Sequence, residues 1–79
     1  MGAVLTISTP LAAPQVCALE QGSASLPDKW RVEVNPHLLG AFRVEVLGPG
    51  YRAVRTFELE SSAIVIAAFL KVSARFASP

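Results

Sequence analysis

The chain contains one cysteine, Cys17, one histidine, His37, and one aspartate, Asp28, and each scarcity removes a class of chemistry. A lone cysteine closes no internal disulfide, which fits a reducing cytoplasm better than a secreted, stapled domain. One His, one Cys and scattered glutamates fall short of a four-ligand metal set, so no metal and no other cofactor is expected. Acid–base or nucleophilic catalysis would have to run through His37, in the connection Asn35-Pro36-His37, without a serine or cysteine in any nucleophile motif. Gly48-Pro49-Gly50-Tyr51-Arg52 lacks the lysine and hydroxyl of a phosphate loop and lies between two strands. No enzyme is expected.

Charge is also sparse. Charged residues make up 16% of the chain and the net charge is +1, where about a quarter charged is usual. Basic and acidic residues interleave, as in Lys29, Arg31 and Glu33 or Arg43 and Glu45, so no basic footprint for nucleic acid or an anionic membrane forms. Arg31, Arg43, Arg52 and Arg55 with Tyr51 outline a base-stacking sheet, but the glutamates between them oppose it. No apolar run approaches the roughly 18 residues of a membrane span. The opening MGAVLTISTPLAAPQVCA lacks a positive n-region and is cut by Pro10 and Pro14, so it reads as a strand and not as a signal peptide. Gly2 and Thr6 fit the short N-myristoylation pattern, which arises often by chance.

Apolar residues are abundant instead, at 52% of 79 positions. A single domain spanning residues 1–79 buries only about two thirds of the surface its unfolded chain exposes. Part of the apolar excess is therefore expected to be covered by self-association or by a partner.

Ala3 to Thr9 alternates and reads as a first strand ended by Pro10. Residues 10–28 are the least legible. Pro14 could open a short helix, or Gln15 to Glu20 could form a brief strand, and the balance falls on the strand. Trp30, Val32 and Val34 alternate with Arg31 and Glu33, and Phe42, Val44 and Val46 alternate with Arg43 and Glu45. The tetrapeptide Arg-Val-Glu-Val thus occurs twice, which predicts two neighbouring strands with the aromatic residue and valines inward and Arg and Glu outward, where antiparallel pairing could set an arginine of one strand near a glutamate of the other. Gly48-Pro49-Gly50 predicts a tight turn into a last strand, Tyr51 to Leu59. There Arg55 breaks the alternation, so either a bulge re-aims it to solvent or its guanidinium lies on the apolar side at a sheet edge.

Ser61 to Ala77, SSAIVIAAFLKVSARFA, has no glycine or proline and reads as a helix. At about 100° per residue, Ile66 centres a broad apolar arc holding Ala63, Val65, Phe69, Leu70, Val72, Ala74, Phe76 and Ala77. Lys71 and Arg75 fall opposite, with Ile64 between them, so Ile64 needs a covering loop or a partner. The fold class is α+β: an antiparallel β-sheet of three to five strands packed against one long C-terminal α-helix. Its inner face would carry Trp30, Val32, Val34, Phe42, Val44, Val46, Phe57 and Leu59.

These features favour a protein-binding role or a homo-oligomer such as a dimer, with Tyr51, Arg52, Arg55, Ile64, Lys71 and Arg75 as the candidate contacts. In size and element order the chain resembles the small phage-encoded inhibitors of bacterial defence, notably the anti-CRISPR proteins. That resemblance implies a non-catalytic inhibitor occupying a host protein or nucleoprotein complex. Many such inhibitors are acidic DNA mimics, and the +1 charge departs from that route, leaving blockade by shape and apolar contact. A self-associating structural or assembly subunit is the alternative.

Overall fold

Residues 1–77 are described by a computed structural model, in the order β1 (Val4–Ile7), α1 (Ala13–Ala24), β2 (Arg31–Pro36), β3 (Ala41–Gly48), β4 (Tyr51–Glu58) and α2 (Ala63–Ala77). The four strands form one sheet in the order β1-β2-β3-β4. The expected α+β fold is present, with α2 a helix of 15 residues. The sheet is mixed, because β1 runs parallel to β2 while β2, β3 and β4 form an antiparallel meander. Parallel neighbours need a crossover connection, and α1 supplies it.

That helix corrects the strand expected over Gln15 to Glu20. Pro14 sits in the first turn, where its missing N–H costs nothing. The face α1 buries consists of Gln15, Ala18, Leu19 and Ser23. Two of the four are polar, so the helical period does not show in hydropathy. Gln15 is only 5% exposed and fully engaged. Its Oε1 accepts the Ala12 N–H at 2.9 Å, and its Nε2 donates to the carbonyls of Leu59 at 2.7 Å and Ser61 at 2.9 Å. One side chain thereby caps α1 and ties it to the connection between β4 and α2.

The inner face of the sheet forms as expected. Val32, Val34, Phe42, Val44 and Val46 are fully buried and Trp30 and Phe57 nearly so, whereas Leu59 lies past the end of β4 and is exposed. The two Arg-Val-Glu-Val copies are neighbours, with their valines inward, but their charges do not pair with one another across the sheet. In the observed register Glu33 faces Glu45, Val32 faces Val46 and Val34 faces Val44. Glu33 instead meets Arg31 of its own strand at 3.4 Å, and Glu45 accepts from Arg52 of β4 at 2.6 Å.

A slip of two residues would keep the valines inward and set Arg31 against Glu45 and Glu33 against Arg43. Trp30 opposes it. A Cβ on Gly48 would lie 2.2 Å from the Trp30 ring, so only glycine leaves room for the indole there. Burying an aromatic ring is worth several kcal/mol by area, about 25 cal/mol per Å². Exposed cross-strand ion pairs contribute about 0.2–1 kcal/mol each. The ring decides the register and the ion pairs form around it.

Pro49-Gly50 makes the predicted two-residue turn, Gly50 at φ 69° supplying the left-handed position. Pairing of β4 with β3 is continuous from Tyr51 to Glu58, so no bulge interrupts it and Arg55 lies on the helix side, opposite Val44. Its guanidinium folds over the Phe57 ring at 5.1 Å.

Both helices cover the same face of the sheet. Gly22 of α1 lets them approach closely, since a Cβ there would lie 2.4 Å from Cδ1 and 2.8 Å from Cβ of Leu70. On α2 the buried stripe is Ile66, Leu70 and Ser73, flanked by partly buried Ala63, Ala67, Phe69, Ala74 and Ala77. Val65, Val72 and Phe76, which the wheel places in the core, are exposed at 39%, 46% and 68%. The buried arc is narrower than the apolar one.

Gly48→Ala should lower unfolding free energy by about 1–3 kcal/mol through overpacking against Trp30, read as an earlier midpoint in urea denaturation. Gln15→Leu should cost about 1–3 kcal/mol, because it strips the Leu59 and Ser61 carbonyls of their donor. An unchanged midpoint for either variant would contradict the corresponding contact.

Candidate protein-binding surface

The six residues singled out in the sequence fall on three different surfaces. Arg52 is on the open sheet face, engaged with Glu45. Ile64, Lys71 and Arg75 lie on the outer side of the helix layer, and Ile64 is 79% exposed with no covering loop among the described residues. It stands beside Pro14, Cys17 and Gln21 of α1. Lys71 lines the neighbouring groove of about 290 Å³ between the helices, whose walls are mainly the small residues Ala18, Gly22, Ala67 and Ala74.

Tyr51 and Arg55 lie on a third surface, the β4 edge. Tyr51 is half-buried and fully used by the fold. Its ring stacks between Trp30, centroids 5.1 Å apart, and Phe76, at 5.5 Å, and its hydroxyl donates to Ser73 Oγ at 3.1 Å. Tyr51 therefore positions α2 against β4 more than it presents a free contact. Arg55 is exposed and makes no ion pair among the described residues.

Above this edge runs the stripe the wheel assigned to the core. Val65, Phe69, Val72 and Phe76 follow at i, i+4, i+7 and i+11, which places them on one side of a helix. Phe69 meets Phe57 edge-on at 5.9 Å and Phe76 stacks on Tyr51, so the stripe is turned toward β4. β4 is the last strand of the sheet, and on its outer side the backbone N–H and C=O groups that point away from β3 have no strand to meet. An open strand edge, an apolar ledge over it and an uncompensated guanidinium thus occupy one surface.

Sequence reasoning missed Val65, Val72 and Phe76 as surface residues because an apolar wheel does not say how much of its arc the sheet can reach. The available signal was the spacing of Ala63, Ala67, Ala74 and Ala77, small residues suited to close packing on the opposite flank of the helix.

The remaining polar groups gather into no comparable constellation. His37 is exposed and its Nδ1 lies 3.2 Å from Arg43 Nη2, an arrangement in which the guanidinium donates. Cys17 is free and exposed. Among the described residues no group of three His, Cys, Asp or Glu side chains could hold a metal ion, and no helix is long and apolar enough to cross a membrane. No family model, curated protein or solved structure matches the chain.

Proposed function

We propose that this protein is a small non-enzymatic binding module that works by covering a surface of another protein. The observation that carries this reading is the exposure of Val65, Val72 and Phe76 in one line beside the open β4 edge. Aligned apolar side chains next to unpaired backbone cost stability and solubility in isolation, and covering them on binding recovers both. Phe76 and Arg55 are of the residue types enriched at such contacts. Arg55 stands beside the apolar area and α2 carries no acidic residue, which favours a partner surface of negative sign. In its narrower form the proposal is a phage or mobile-element inhibitor that blocks a host defence complex by shape and apolar contact, as the size and α+β architecture suggest.

Self-association through the same surface is the competing arrangement, and molar mass in solution separates the two. A monomer across the micromolar range is expected, with capture of a specific bacterial protein by the immobilised chain. Val72→Asp adds a charge to the ledge at an exposed position and should abolish capture while leaving the thermal unfolding midpoint within a few degrees. Capture undiminished by Val72→Asp would place the binding surface elsewhere, and a stable dimer that Val72→Asp dissociates would establish the structural-subunit role instead.

A further inference from the structure

We propose that the partner docks as a strand: an extended segment of another protein adds to β4 as the fifth strand and presents a carboxylate to Arg55. The inference rests on the binding role proposed above and specifies its mode and the chemistry of its occupant.

The two edges of the sheet differ. β1 has 4 residues, whereas β4 has 8, paired to β3 without interruption. Natural edge strands are usually blunted by shortness, proline, a bulge or an inward-pointing charge. Between Tyr51 and Glu58 there is no proline and no bulge, and the charged residues are Arg52 and Glu58 on the open face and Arg55 on the helix side. An added strand would lie about 4.8 Å beyond β4, on the side toward which the α2 ledge is turned. Its alternate side chains would point up against Val65, Phe69, Val72 and Phe76. Main-chain hydrogen bonds would supply affinity and the ledge would select the side chains, the division of labour seen in strand addition generally.

Arg55 sets the charge of the occupant. It is the only charged residue on the helix side of β4, since Arg52 and Glu58 alternate to the other face. Its guanidinium lies over the Phe57 ring and makes no ion pair among the described residues, which leaves its hydrogen-bonding fork available to a carboxylate.

A second copy of this chain fits poorly. Antiparallel pairing of β4 with another β4, helices on one side, has two registers that use most of the strand. One sets Arg55 directly against Arg55. The other sets it against Ala53, with the second guanidinium on the diagonal, about 7–8 Å away. Neither brings an acid, because the helix side of β4 and the whole of α2 contain none. The occupant is therefore a different protein, with apolar residues at alternate positions and an Asp or Glu among them facing Arg55.

The test is selection of ligands for the intact protein from a displayed library of random dodecapeptides, followed by amide hydrogen exchange on the complex. Enriched peptides should alternate apolar residues around an Asp or Glu, and binding should slow exchange of alternate β4 amides. Arg55→Glu lies at an exposed position and should weaken these peptides by at least about tenfold, and reselection on it should enrich Lys or Arg at the same place. Failure to enrich any alternating acidic peptide, enrichment that Arg55→Glu does not shift, or binding without β4 protection would each overturn strand addition. So would a dimer whose formation protects β4. A partner whose capture Val72→Asp abolishes, but whose binding leaves β4 exchange unchanged, would preserve the binding role and reject this mode alone.

Discussion

The seat of Trp30 over Gly48 is the contact on which the rest of the molecule is built. It fixes how β2 lies against β3, and through the paired residues Gly48 and Tyr51 it fixes where the aromatic column begins. Tyr51 stacks on Trp30, Phe76 stacks on Tyr51, and the Tyr51 hydroxyl reaches Ser73. The rotation of α2 about its own axis follows from that column. A residue at position 48 with any side chain would disturb the register, the column and the helix together. The ion pairs of the open face are weak beside this and accommodate it, Glu33 and Glu45 sitting opposite one another with an arginine each.

The exposed ledge follows from what happens on the other flank of α2. Gly22 and Ala18 on α1, with Ala67 and Ala74 on α2, let the helices approach until Leu70 presses on the Gly22 backbone. Two helices lying on a sheet share a limited width, so what α2 gains toward α1 it gives up over β4. Apolar side chains on that flank remain in solvent although nothing in their chemistry separates them from the core. Close packing of small residues on one side and an open apolar surface on the other are a single adjustment.

Most of the sheet was legible because its strands alternate cleanly. Val32, Val34, Phe42, Val44 and Val46 are where the pattern places them, and Gly48-Pro49-Gly50 turns the chain as its residue types require. α1 was hidden because its buried face uses Gln15 and Ser23, whose burial depends on hydrogen bonds to a segment more than forty positions away or on close packing, neither of which local hydropathy records. The strand register was not legible, because charge pairing is visible in a repeat while the volume of an indole above a glycine is not. The candidate surface was half legible. Arg55 announced itself by breaking the alternation, but Val65, Val72 and Phe76 carry no mark in sequence that distinguishes a core side chain from an exposed one.

The Gln15 bridge has a consequence for the order in which the molecule can mature. Its two acceptor carbonyls belong to Leu59 and Ser61, so during synthesis the amino-terminal strand and helix leave the ribosome well before their anchor exists. The meander of β2, β3 and β4 depends on near-neighbour pairings and can assemble as it emerges. β1 can pair with β2 at that stage, but α1 gains its tie to the connection after β4 only once Leu59 and Ser61 have been made.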